Sequence, residues 1–505
     1  MQIPIERDKP IPVARQIQAH LERLIREGLL GDGVKLPATR DLAHSLGVNR
    51  ATVVLAYEEL VAAGWARAHV GQGTFAAAPA GVAARAAARV EPAPIDWSAL
   101  FSRSARTVRA DAGRPRHDVV EPSGGISFAG GAPDSGLFPT DAFRRVLNRV
   151  VRDEGASLLQ YYPVAGYPPL RRYLSTYLLR FGLEARAEDI LIVNGSQQGF
   201  DLIARTLVDP GDAVAIEQPT YPRALQVFRA FGAELLPVPW DADGPRVDVF
   251  ERLLERHAPK LFYCQPSAHN PTGLAMSPER RRGLLDAAAR RGMPIIEDGF
   301  DPSLAYGARR PVPLKAQDRA GIVIYIGTFS KVLFPGLRIG WLVAPPPVLE
   351  RLREAKQLAD IHTSALIQAA VHRFCEGRLL DRHAVRAARA YGRRRGLLLG
   401  ALGRWMPEGV TWTEPEAGFS LLLTLPSRLS AAALLPRAAA RGVTFTPGTA
   451  FFVDGSGDRT LRLSFSALPA ARIEEGVHRL ADTIRASLKE PARVPREEDL
   501  AVPLV

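Results

Sequence analysis

The chain has 505 residues, 47% hydrophobic and 23% charged, with a formal net charge of +12. That length exceeds one ordinary core and predicts two or three domains, and the composition excludes a disordered chain. Two cysteines, Cys264 and Cys375, exclude a disulfide framework and show no metal-ligand spacing, so the expectation is a reducing compartment and no metal.

The first ten residues, MQIPIERDKP, carry charges where a secretory signal needs an apolar run. No stretch nears about 18 uninterrupted apolar residues, so the expected location is cytoplasmic, with no membrane partner. Val13, Ile17, Leu21, Leu24 and Ile25 recur at helical spacing and predict an amphipathic helix, with Gly31 and Gly33 ending that region. Pro37 precedes a short helix over 39–46. Gly47 breaks it, a second helix runs from Asn49 to Ala63, and Gly64 stops that one. Residues 65–75 read as two short strands around Gly71 and Gly73. Together these predict a head domain over 1–78.

Residues 79–120 change character: Ala, Pro and Arg dominate without a sustained period, which predicts a linker. From 121 to 485, apolar strand-like runs alternate with helical stretches: DILIVN, AVAIEQP, KLFYCQP, PIIEDG and IVIYIGTFS. Strands spaced by helices predict an α/β domain with a largely parallel sheet. Residues 486–505 read as a tail.

The head's informative stretch is Leu36-Pro37-Ala38-Thr39-Arg40-Asp41-Leu42-Ala43 followed by Leu46-Gly47-Val48-Asn49-Arg50-Ala51-Thr52-Val53. Leu42, Ala43 and Leu46 face inward on one helix; Val53, Tyr57 and Leu60 do so on the next. The Gly-Val-Asn corner between them predicts the steep crossing that lets a helix enter a major groove. Asn49 suits an N-cap, and the helix start it caps presents N–H groups to a phosphate. Arg50 and Thr52 sit on the outward face of the first turn, and Arg40 suits a bidentate phosphate or guanine contact. Residues 1–75 hold nine Lys/Arg and eight Asp/Glu, so charge alone gives little support. The segment resembles the winged-helix head of GntR-family regulators, wing tip Gly71-Gln72-Gly73-Thr74-Phe75 included. That resemblance implies double-stranded DNA as partner and Arg40, Asn49, Arg50, Thr52, Gly71 and Gln72 as its contacts.

The body carries six further motifs. Gly195-Ser196-Gln197-Gln198 follows DILIVN and opens a helix, making an anion cradle. Glu217-Gln218-Pro219-Thr220-Tyr221-Pro222 and Asn270-Pro271-Thr272-Gly273 follow the next apolar runs. Ile295-Ile296-Glu297-Asp298 is a strand ending in a carboxylate, and Thr328-Phe329-Ser330-Lys331 follows IVIYIG with Arg338 seven residues on. Thr460-Leu461-Arg462-Leu463-Ser464 completes the set. Only seven lysines occur; of Lys260, Lys315, Lys331 and Lys356 in the body, only Lys331 has such a setting.

In this order the motifs resemble fold type I aminotransferases, which bind pyridoxal 5'-phosphate. The resemblance implies Lys331 as the Schiff-base lysine, its ammonium destabilised by nearby positive charge and desolvation. It implies Asp298 on the pyridine nitrogen, Asn270 on the phenolic oxygen and Tyr221 stacked on the ring. Ser196, Gln197, Thr328, Ser330 and Arg338 would hold the phosphate, and Arg462 an effector carboxylate. Head and body together resemble the MocR-type subfamily of GntR regulators. The expectation is a DNA-binding regulator that holds the cofactor as a lysine aldimine and senses pyridoxal phosphate, an amine or an amino acid. The alternative is a working aminotransferase with a fused head. Phe300 departs from the family pattern, which has a hydroxyl-bearing aromatic there, and it cannot donate to the phenolic oxygen. Resemblance also implies a homodimer with two heads on paired half-sites.

Overall fold

The computed structural model describes residues 3–69, 71–77, 97–102, 105, 124–307 and 310–489, so the expected linker and tail lie largely outside the described residues. The chain divides into two compact units, Met1–Leu100 and Phe101–Val505.

The first unit is built as its punctuation predicts. Helix α1 (Val13–Arg26) buries Ile17, Leu21 and Ile25, as the 3.6-residue period requires. Helix α2 (Thr39–Leu46) ends where Gly47 turns left-handed at φ 63°, a conformation cheap only for glycine. Helix α3 (Arg50–Ala62) begins under the Asn49 side chain, which accepts the Ala51 N–H at 3.0 Å. Leu36, Leu42, Val53, Leu60 and Trp65 close one apolar core with α1. Each such aliphatic side chain contributes about 1.5–3 kcal/mol on burial. The Tyr57 hydroxyl donates to the Pro37 carbonyl at 2.8 Å and ties α3 to the turn before α2. Strands β1 (Ala66–His69) and β2 (Gly73–Ala76) pair antiparallel as the wing, turning through Gly71 at φ 77°.

The second unit is built on a seven-stranded sheet. Its strands are β4 (Ile190–Val193), β5 (Ala213–Gln218), β6 (Glu234–Pro239), β7 (Leu261–Cys264), β8 (Ile295–Asp298), β9 (Val323–Thr328) and β10 (Gly340–Val343), in the order β4-β10-β9-β8-β7-β5-β6. Six run one way; β10 is antiparallel to both of its neighbours. The five runs expected from sequence all enter this sheet. β6 and β10 were not among them, and ELLPVP carries two prolines that hide a strand. Alternate side chains feed opposite faces, Val214 and Ile216 one cluster and Ala215 another; Tyr263 and Phe262 divide the same way. A sheet buried on both faces explains why its strands read as unbroken apolar runs.

Two smaller sheets complete this unit. Strand β3 (Ile126–Ser127) pairs parallel with β13 (Val443–Thr444). Strands β11 (Thr411–Trp412), β12 (Ser420–Thr424), β14 (Thr446–Pro447) and β15 (Thr460–Ser464) form an antiparallel sheet in the order β11-β12-β15-β14. The last described helix, Ala470–Lys489, buries Ile473, Val477, Leu480 and Ile484 at helical spacing. Among the described residues no helix is long and apolar enough to cross a membrane.

Candidate functional site

Parallel strands put their carboxyl ends on one edge, and five of them deliver the expected residues there. β4 leads into Asn194, Gly195 and the helix Ser196–Leu207; β5 leads to Tyr221, β7 to Asn270, β9 to Lys331, and β8 ends on Asp298.

Asp298 is half-buried, and its Oδ2 accepts from the Tyr263 hydroxyl and from Gln265 Nε2, each at 2.8 Å. Burial pushes its carboxyl up to about 6, while the two hydrogen bonds and Lys331 pull it back. Tyr263 and Gln265 were missed from sequence, Tyr263 because it reads as one more apolar strand residue. Lys331 Nζ donates to the Gly131 carbonyl at 3.1 Å. Burial, then the Arg462 guanidinium, push its ammonium down to about 8 against a smaller pull from Asp298. The other three body lysines are paired: Lys260 with Asp212 at 3.6 Å, Lys315 with Asp318 at 3.0 Å, and Lys356 with Asp360 at 2.6 Å. Of the four, only Lys331 has no carboxylate partner among the described residues.

Arg462, on β15, reaches across to the same place. Its Nη2 donates to the Ala129 and Gly130 carbonyls at 2.9 and 2.7 Å, and Nη1 to Asn270 Oδ1 at 3.2 Å. The guanidinium stands 5.0 Å from the Phe451 ring centroid, and its buried Nε has no hydrogen-bond partner. Burial lowers it to about 10. The carbonyls of residues 129–131 therefore hold both cations. That loop carried no side-chain signal and was absent from the expectations.

The anion cradle is assembled from two segments. Gly195 adopts φ 77°, and a Cβ there would fall 2.6 Å from Arg338 Nη2. Arg338 itself sits at φ 52° and donates from Nη2 to the Asn194 carbonyl at 3.0 Å. Ser196 and Gln197 are half-buried at the helix start, with no side-chain hydrogen bond among the described residues. Thr328 is buried, its hydroxyl shared between Ser330 Oγ at 3.0 Å and the Ile339 carbonyl at 3.3 Å, so it shapes the turn that presents Lys331. Tyr221 caps the helix Pro222–Ala230 and tilts against Phe200, ring centroids 6.5 Å apart. Phe300 packs edge-on against Phe419 at 5.6 Å.

In the head, Arg40, Asn49 and Arg50 are exposed, and Arg50 Nε donates to Thr39 Oγ1 at 3.4 Å, linking the starts of α2 and α3. Thr52 is half-buried, less outward than its sequence position suggested. Gly71 and Gln72 form the exposed wing turn, with the Gln72 N–H on the His69 carbonyl at 3.0 Å.

Comparison with known proteins adds the relatives. Residues 126–480 match the family described as aminotransferase class I and II, and residues 13–76 match the bacterial regulatory proteins of the gntR family. The probable rhizopine catabolism regulatory protein MocR of Rhizobium meliloti is 32% identical over 503 residues, covering 99% of each chain. Aromatic-amino-acid aminotransferase 1 of Thermococcus litoralis is 37% identical over 408 residues, 80% of this chain and 98% of that one. The α-aminoadipate aminotransferase LysN of Thermus thermophilus, solved with N-(5'-phosphopyridoxyl)-L-leucine, superposes with a TM-score of 0.72 at 37% identity, over 78% of this chain and 99% of that one.

Proposed function

This chain belongs to the MocR-type regulators of the GntR family, a winged helix-turn-helix joined to an aminotransferase class I and II body, and from that premise we propose that the body senses pyridoxal phosphate, or an amine that reacts with it, and thereby governs how the head engages DNA. Membership makes the protein a DNA-binding regulator, and pyridoxal phosphate is the cofactor of its body. The proposed unit is a cytoplasmic homodimer, each chain made of a head (1–78), a linker (79–120), a body (121–485) and a tail (486–505).

One observation carries the reading: among the described residues Lys331 is the body lysine without a carboxylate partner, held on a backbone carbonyl with its ammonium lowered to about 8. A lysine so placed offers a neutral amine to an aldehyde at neutral pH far more often than a solvated one. The remaining residues fit the cofactor. Arg338 and the N–H groups at the start of the helix Ser196–Leu207 suit a phosphate, and a side chain at Gly195 would collide with the Arg338 guanidinium. Asp298, oriented by Tyr263 and Gln265, would hold a proton on the pyridine nitrogen. Asn270 would face the phenolic oxygen, Tyr221 would lie against the ring, and the Arg462 guanidinium would take the effector's carboxylate. Bound there, pyridoxal phosphate supplies an electron sink to an amine's α-carbon.

The second reading, a working aminotransferase, draws support from the same Arg462, which an amino-acid substrate would occupy equally well. Phe300 weighs against it, because no hydroxyl at that position can handle a proton. One experiment separates the two. The full-length protein is titrated with DNA from the region flanking its gene, with and without pyridoxal phosphate and candidate amines, while keto-acid or aldehyde release is followed in a single turnover. The sensor reading expects DNA affinity or footprint to change with cofactor or amine and little product; a fixed footprint with rapid product release would transfer the assignment to the enzyme.

A further inference from the structure

The ion pair Lys356–Asp360 has no place in the roles above, yet its position is costly. Lys356 is fully buried. Its Nζ contacts both Asp360 carboxylate oxygens, at 2.7 and 2.6 Å. Removing two charges from water is expensive, and such a pair is weak evidence of stability by itself. Asp360 also ends the helix Pro346–Asp360, where the helix dipole disfavours a carboxylate. The next residue, Ile361, adopts φ 63° and ψ −60°, and the His362 N–H donates to the Asp360 carbonyl at 2.6 Å. That is a γ-turn of the strained hand, centred on a β-branched residue. Three local costs meet at one residue.

Asp360's other contacts show where those costs are directed. Its Oδ2 accepts from Asn194 Nδ2 at 2.5 Å and from Gln198 Nε2 at 2.8 Å. Gln198 Oε1 in turn accepts the Asn194 backbone N–H at 2.7 Å. The Asn194 carbonyl receives Arg338. Asn194 and Gln198 thus bracket residues 195–197, the cradle's backbone, and both hang from one carboxylate whose charge Lys356 balances.

Resting on the cofactor site proposed above, we infer that Lys356 and Asp360 are positioning residues for the phosphate end of that site, locking residues 194–198 and Arg338 into an anion-receiving shape. The aldehyde-capturing end, at Lys331, stands on other contacts, the Gly131 carbonyl and β9. Loosening the pair therefore degrades recognition of the phosphate while sparing capture of the ring.

The test compares pyridoxal phosphate with pyridoxal, which lacks the phosphate, on the full-length protein. Capture at Lys331 is fixed with borohydride and measured by mass spectrometry across ligand concentration. Lys356→Met/Asp360→Asn removes both charges together, so neither is left buried alone. Gln198→Met removes one of the cradle's two links to Asp360, and the hold on the Asn194 N–H, while leaving the pair intact, and decides the matter if the double variant does not fold. The inference expects the preference for pyridoxal phosphate over pyridoxal to fall about tenfold or more in each folded variant, with pyridoxal capture unchanged. Lys356→Arg is expected to keep most of the preference. Equal losses for both ligands, or no loss, would overturn it. Failure of the wild-type protein to label Lys331 at all would instead strike the cofactor site itself.

Discussion

Head and body meet function in opposite ways. In the head, the candidate contacts other than the half-buried Thr52 are exposed, and they are held by near neighbours: Asn49 caps through Ala51, and Arg50 reaches Thr39 eleven residues away. In the body they are held across great sequence distances, and all but the exposed Arg338 are partly or fully covered. Lys331 meets Gly131 at a separation of 200 residues, Arg462 meets Asn270 at 192, and Arg338 meets Asn194 at 144. An exposed, locally built surface is altered one residue at a time with little effect elsewhere. A site assembled from remote segments shifts as a unit, which suits the sensor role proposed for this domain.

The sharpest way to break this contrast is Lys331→Ala. Borohydride trapping with pyridoxal phosphate is expected to leave no pyridoxyl label at all, while melting and cofactor-free DNA affinity stay at wild-type values. Label retained on another lysine would mean the amine was misassigned. Next in size is the pH profile of capture. The neutral amine reacts, so protonation below about 8 slows capture about tenfold per pH unit, and the rate levels off above it. A midpoint at the ordinary lysine value would show that burial and Arg462 do not act on Lys331 as the geometry requires. The smallest effect belongs to the head. Arg50→Ala is expected to weaken DNA binding by about 1–3 kcal/mol if the guanidinium reads a base, with capture at Lys331 untouched. Footprints and affinity equal to wild type would remove it from the contact surface, and a change in capture would contradict the separation of the two regions.

Much of this architecture was readable in advance, for specific reasons. The bounds of α2 follow from Pro37 and Gly47, and Asn49 announces the start of α3, because turn and cap chemistry is written in adjacent residues. The carboxylate at the end of β8 and the lysine after β9 stood out because apolar runs delimit them. Tyr263 and Gln265 did not, since nothing near them reveals that their donors converge on Asp298. Gln198 lay inside a recognised motif, but its bond to Asp360, 162 residues on, has no local trace. Strand β6 escaped because its two prolines hide a strand whose partners supply its order.

Amino-acid order alone settled the winged head and the α/β body, and singled out the segment around Lys331, since each rests on periodicity, glycine and proline punctuation, or motif order within a few residues. Only the folded chain decided that β10 runs against its neighbours, that the carbonyls of residues 129–131 hold both Lys331 and Arg462, and that Asp360 anchors the cradle. These depend on which segments become neighbours when the sheet assembles, and burial then sets the charge state of groups whose partners lie hundreds of residues away.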